Sequence, residues 1–200
     1  MNPVTIIVLN QTFILLLSVV IIMTRGKGRF KDFGFSLPQS LHLRLTAPLA
    51  LTFGVAATSI LLLSTSGDEG NPLLSNLSWL EKIVLIWICA SVCEEVLFRG
   101  VAQTNLSTWT NGRTFDLLGV RIGLGSLMAA VLFAVDHLAT MLILGTGVVT
   151  TVVITLFAFV TGVTAGYSRD KSNSLIPAIV VHMLANVGAA LPAIAIELFG

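Results

Sequence analysis

Charge is what this sequence has least of. Only 10% of its 200 residues are Asp, Glu, Lys or Arg, against about 25% in soluble globular chains. With 55% hydrophobic residues and a mean hydropathy of +0.94, that scarcity excludes a water-soluble domain and identifies an integral membrane protein. Alternation of apolar and polar residues is also missing, which excludes a β-barrel in favour of membrane-crossing helices. Cysteine is limited to Cys89 and Cys93, one turn apart within an apolar run. There is thus no disulfide framework, and both read as small buried side chains. No basic residue precedes the first apolar stretch, so it lacks the charged start of a signal peptide. Internal repeats and low-complexity tracts are absent. The net charge of +1 by itself says nothing about partners; the partner that composition implies is the lipid bilayer, and no nucleic acid is expected.

What is there fits about six spans of roughly 20 residues, in one all-α membrane domain covering residues 1–200. The spans are expected at 3–23, 45–64, 80–98, 122–144, 148–167 and 177–199. Trp79 stands where an interfacial aromatic anchor belongs, and Pro177 opens the last span. The connector 25–44 is basic, and Phe33-Gly34-Phe35 with Pro38 suggests a short interfacial segment. Residues 65–78 read as a polar, turn-rich loop. Residues 100–120 read as a surface segment, partly amphipathic, and 168–174 as a polar loop. Alternating the spans from an outside N-terminus puts Arg25, Lys27, Arg29, Lys31, Arg44, Arg99, Arg113, Arg121, Arg169 and Lys171 on one side. Only Lys82, of the 11 basic residues, falls on the other. That asymmetry makes the first side cytoplasmic.

Against this background the run Cys93-Glu94-Glu95-Val96-Leu97-Phe98-Arg99 stands out. A charge near the middle of a span costs about 2.5–3.5 kcal/mol, whereas each strongly apolar residue returns roughly 0.3–0.6 kcal/mol. Glu95 and Arg99 lie one helical turn apart with the acid N-terminal, the better order for an ion pair, and read as an internally neutralised, structural pair. Glu94 points about a quarter-turn away and has no partner on its own helix. It is the free carboxylate. Further polar residues interrupt later spans. His137 follows Phe133 by one turn, so the phenyl ring can pack on the imidazole, and His182 precedes Asn186 by one turn. At about 1.5 Å per residue, Glu94, His137 and Asn186 reach the middle third of the bilayer core, and His182 lies nearer the cytoplasm. Asp136, beside His137, has no role that spacing decides.

Glu-Glu-x-x-x-Arg, Phe-x-x-x-His and His-x-x-x-Asn, in that order on separate apolar spans, resemble the motifs of the CAAX-protease and bacteriocin-processing family, also called Abi. These are intramembrane glutamic endopeptidases. The likeness runs from about Trp79 to the C-terminus, takes in Phe33-Gly34-Phe35, and has no acid corresponding to Asp136. It implies a metal-free peptidase in which Glu94 activates a water with the help of His137. His182 and Asn186 would donate to the oxyanion, and Glu95 and Arg99 would shape the site. The implied substrate is a peptide or lipidated peptide, cleaved from the cytoplasmic side of what is expected to be a prokaryotic cell membrane.

Two other readings are weighed. Glu94, His137 and His182 could serve as ligands of a hydrolytic zinc, although no His-Glu-x-x-His pattern is present. A proton-coupled transporter or scaffold could also hold buried ionisable residues, although it would lack the repeat many transporters show.

Overall fold

A computed structural model describes residues 2–38, 40–64, 76–117 and 119–199. They form an all-α bundle, as expected of a polytopic membrane protein. Helix α1 spans Pro3–Thr24 and α2 Leu43–Ser64. Residues 79–109 run on as one helix, α3, whose winding changes along its length. It is α-helical over Trp79–Glu81, Ser91–Glu95 and Gln103–Trp109, and adopts the wider π form over Lys82–Ala90 and Val96–Ala102. Then come α4, Leu124–Ile143; α5, Val148–Ser172; and α6, Leu175–Phe199. Five of these, α1, α2, α4, α5 and α6, are long and apolar enough to cross a bilayer as plain α-helices. The span expected at 80–98 is the helix that changes winding. The outward faces carry large apolar side chains, among them Phe13, Leu16, Leu132, Leu142, Val152 and Leu156, as lipid contact requires.

Two expectations are corrected. The stretch 100–120 is not one segment separate from the preceding span. Helix α3 continues through it to Trp109, and Asn111 and Gly112, both with positive φ, turn the chain into a hairpin. Strands β1 (Thr114–Leu117) and β2 (Val120–Gly123) pair antiparallel, Asp116 opposite Arg121. The alternating Thr-Phe-Asp and Val-Arg-Ile suit a strand, but four residues are too few to signal one in sequence. The loop expected at 168–174 is also mostly helix. Helix α5 runs to Ser172, and only Asn173, left-handed at φ 51°, and Ser174 separate it from α6. Of the loop expected at 65–78, residues 65–75 lie outside the described residues.

The basic connector is tied into the bundle end rather than spread over it. A single 3-10 turn, Phe30–Phe33, buries Phe33 against Ile22 and Val101. Gly34 follows at φ 90° and takes the Arg169 side chain against its bare Cα; a β-carbon there would collide with it. Its carbonyl accepts from Leu175 N at 2.9 Å, and Ser36 exchanges hydrogen bonds with Asn173 and Ser174 across the same seam. At the opposite end Trp79 Nε1 donates to Glu197 at 3.0 Å, joining the start of α3 to the end of α6.

Small residues let the helices approach. Ala50, Ala165, Ala178, Val181 and Ala185 form the core among α2, α5 and α6. A methyl on Gly188 would strike the Leu51 carbonyl, and one on Gly54 the Ala185 carbonyl. Gly188→Leu should therefore destabilise the protein by about 1–3 kcal/mol, the usual cost of overpacking. Val152→Leu, on a lipid-facing position, should leave thermal unfolding in detergent micelles unchanged.

Candidate active site

The site is built around the α segment of α3 that lies between the two π stretches. Its last two residues are Glu94 and Glu95, and their surroundings differ sharply. Glu95 is wholly buried. Its Oε1 is ion-paired with Arg99 Nη1 at 3.0 Å and accepts a hydrogen bond from His182 Nδ1 at 2.9 Å. Arg99, also wholly buried, lays its guanidinium over the Phe133 ring at 4.6 Å. That contact offsets part of its desolvation. The pair read from the i, i+4 spacing is thus present, with a third member from α6. Because a carboxylate held by arginine can only accept, the histidine Nδ1 carries the shared proton.

Glu94 keeps 13% of its side-chain surface accessible and faces two other groups. Gln11 Nε2, from α1, donates to its Oε1 at 3.1 Å. His182 Nε2 stands 3.9 Å from its Oε2, beyond a direct hydrogen bond. The Glu95–His182 bond therefore aims the other imidazole nitrogen at Glu94. The carboxylate without a partner on its own helix has its neighbours on α1 and α6.

Phe133 ties the remaining histidine to the cluster. Its ring lies edge-on to His137 at 4.5 Å, to His182 at 5.4 Å and to Phe98 at 5.0 Å. His137 Nδ1 donates to the Phe133 carbonyl one turn back at 3.0 Å, which in the neutral ring leaves Nε2 as an acceptor. Asn186 is half-buried, and its amide donates to the Ile86 carbonyl at 3.3 Å and to Ser91 Oγ at 3.2 Å. In this structure its hydrogens are committed to α3. Asp136 is exposed, beside His137 and close enough to Glu94 for the two acids to repel. The cysteines are free, Cys93 buried and Cys89 partly so. Among the described residues no three His, Cys, Asp or Glu side chains gather as a metal ion needs.

Sequence reading missed Gln11. The signal was present: Ile7, Gln11, Ile14, Ser18 and Ile22 are the buried stripe of α1, at helical spacing, with an amide on it. With Asn10 and Thr12 on either side of Gln11 in an otherwise apolar run, hydropathy does not mark which face is inward, because lipid and protein interior select the same residues.

The buried trio makes a stability prediction. Deleting one partner of a buried ion pair typically costs about 3–5 kcal/mol, because the other charge is stranded. Arg99→Met alone should destabilise on that scale. Adding Glu95→Gln to it should recover part of the loss, as read by denaturant unfolding of the micelle-embedded protein.

Residues 76–188 match the family model described as "Rce1-like: Type II CAAX prenyl endopeptidase Rce1-like". No curated protein and no solved structure matches the chain significantly. The matched stretch takes in α3, with both carboxylates and Arg99, all of α4 and α5, and α6 as far as Gly188. It covers more than half of the 200 residues, and the chain belongs to this Rce1-like family of type II CAAX prenyl endopeptidases, a family of membrane proteases.

Proposed function

We propose that this protein is a glutamic intramembrane endopeptidase in which Glu94 is the general base. The observation that carries the reading is the asymmetry between the adjacent carboxylates: Glu95 is sealed by Arg99 and His182, while Glu94 has an oxygen facing an imidazole nitrogen at 3.9 Å. A water beside Glu94 gives it a proton as its oxygen bonds to the scissile carbonyl carbon. The π electrons of that carbonyl pass to its oxygen. His137, through the Nε2 left free by its bond to the Phe133 carbonyl, holds the water. His182 Nε2 and Asn186 Nδ2 donate to the oxyanion, the kind of preorganised stabilisation that often supplies the largest catalytic share. The imidazole donates from Nε2 only while it carries both protons, since Nδ1–H is given to Glu95. Asn186 must exchange its bonds to α3 for the oxyanion. When the tetrahedral intermediate collapses, the carbon–nitrogen bond breaks and Glu94 returns the proton to the leaving amine.

The substrate class is a membrane-associated peptide, and the family description supplies the prenylated CAAX end as its first member to test. The one-sided distribution of basic residues supports an outside N-terminus and a site reached from the cytoplasm. The cofactor expected is none, water being the only co-reactant.

Purified protein in liposomes, given fluorogenic farnesylated CAAX peptide and its unlipidated counterpart, tests this reading. Wild type should cleave at least one of them, and Glu94→Gln should lose cleavage while remaining folded. His137→Ala should lower kcat by about 100-fold or more, the scale of general acid–base assistance. A strong chelator should leave turnover unchanged; loss restored by zinc would instead support a metalloprotease. A Glu94→Gln protein that still cleaves would end the glutamic reading.

A further inference from the structure

Gln11 lies outside the stretch that matches the family model, on a helix without any charged side chain. It sits near the midpoint of α1, on the stripe that packs against α3, and is 8% exposed. Its Nε2 donates to Glu94 Oε1 at 3.1 Å, while its own Oε1 is buried with no hydrogen-bond partner among the described residues. A buried amide with an unmet acceptor costs about 1–3 kcal/mol. In a bilayer an apolar side chain of the same length would avoid that cost. Helix packing alone therefore gives no reason for glutamine here. What glutamine supplies, and leucine or methionine would not, is one N–H aimed at one carboxylate oxygen.

The effect on Glu94 follows from geometry. A glutamate side chain has three rotatable bonds, and this carboxylate has no partner on its own helix. Gln11 pins Oε1 from one side, which directs Oε2 toward His182 on the other. With Gln11 removed, the carboxylate is free to turn toward other rotamers, and the alignment of a general base with its water is sensitive to shifts of about 1 Å.

We propose that Gln11 is a positioning residue for the peptidase reaction: through its N–H it fixes the Glu94 carboxylate in the orientation needed to take a proton from water. This makes α1 part of the active site rather than a membrane anchor for it. The inference rests on the peptidase reading above.

The test is steady-state cleavage of the same fluorogenic peptides by liposome-embedded wild type, Glu94→Gln, Gln11→Met and Gln11→Asn, with thermal unfolding of each. Methionine matches glutamine in length and removes the donor. Its kcat should fall about ten- to hundredfold, the scale of one hydrogen bond to a charged group, with KM within twofold and no drop in melting temperature. Asparagine keeps the N–H on a shorter arm, and its kcat should lie between wild type and Gln11→Met. Should Gln11→Met fail to accumulate folded, Gln11→Asn carries the test alone, with at least a fivefold fall expected. An unchanged kcat, a loss confined to KM, or a loss that tracks a lowered melting temperature overturns the role of Gln11. Those results leave the peptidase reading standing as long as wild type cleaves and Glu94→Gln does not. Failure of wild type to cleave, or cleavage by Glu94→Gln, ends both.

Discussion

A carboxylate at zero exposure, shared between an arginine and a histidine, is the constraint on which this structure depends. Glu95 and Arg99 are both sealed from solvent and lipid, where an isolated charge would be costly. They are tolerated because four helices contribute to the same spot. Helix α3 supplies the pair, α4 the Phe133 face, α6 the His182 ring, and α5 the bare Gly162, where a β-carbon would come within 3.2 Å of Arg99 Nη2. Arg99 Nε, Nη1 and Nη2 still have no hydrogen-bond partner among the described residues. So costly a cluster is weak evidence for stability, and its value is geometric. It fixes the rotation of α3 relative to α6.

That rotation decides what Glu94 meets. One residue before the sealed carboxylate, on a helix whose winding changes on either side, Glu94 is turned toward α1 and toward the second nitrogen of the histidine that Glu95 holds. The two acids of the Glu-Glu pair thus have separate tasks for a physical reason: one is consumed in neutralising an arginine, the other is left with weaker contacts. π turns are frequent at functional sites because they shift side chains out of ordinary helical phase. Here they bracket Ser91–Glu95, which carries both the carboxylates and the serine that Asn186 contacts.

Local pairings were legible in the sequence. The i, i+4 spacing of Glu95 and Arg99 and that of Phe133 and His137 are properties of any helix, and the structure bears both out. Span positions were legible because bilayer thickness and side-chain hydropathy set them. The contacts between helices were not. The bond from His182 to Glu95, the bonds of Asn186 to Ile86 and Ser91, and the whole of Gln11 depend on which faces meet, and hydropathy does not report that inside a membrane. The π stretches and the hairpin at 114–123 were missed for a related reason: the first have no sequence signature of their own, and the second is too short for periodicity. His182 and Asn186, one turn apart and given by the resemblance as two donors to one oxyanion, are in this structure bonded to different residues of α3, Glu95 for the first and Ile86 and Ser91 for the second.

The central claim is that chemistry occurs at Glu94 while Glu95, Arg99 and His182 hold the frame. An experimental structure of the protein with a peptide phosphinate, a stable mimic of the tetrahedral intermediate, tests it most directly. The account predicts the phosphinyl group between Glu94 and His182 Nε2, with Glu95 still bonded to Arg99 and Gln11 still on Glu94. A phosphinyl group bound away from Glu94, or one seated on Glu95 with the arginine displaced, would contradict it.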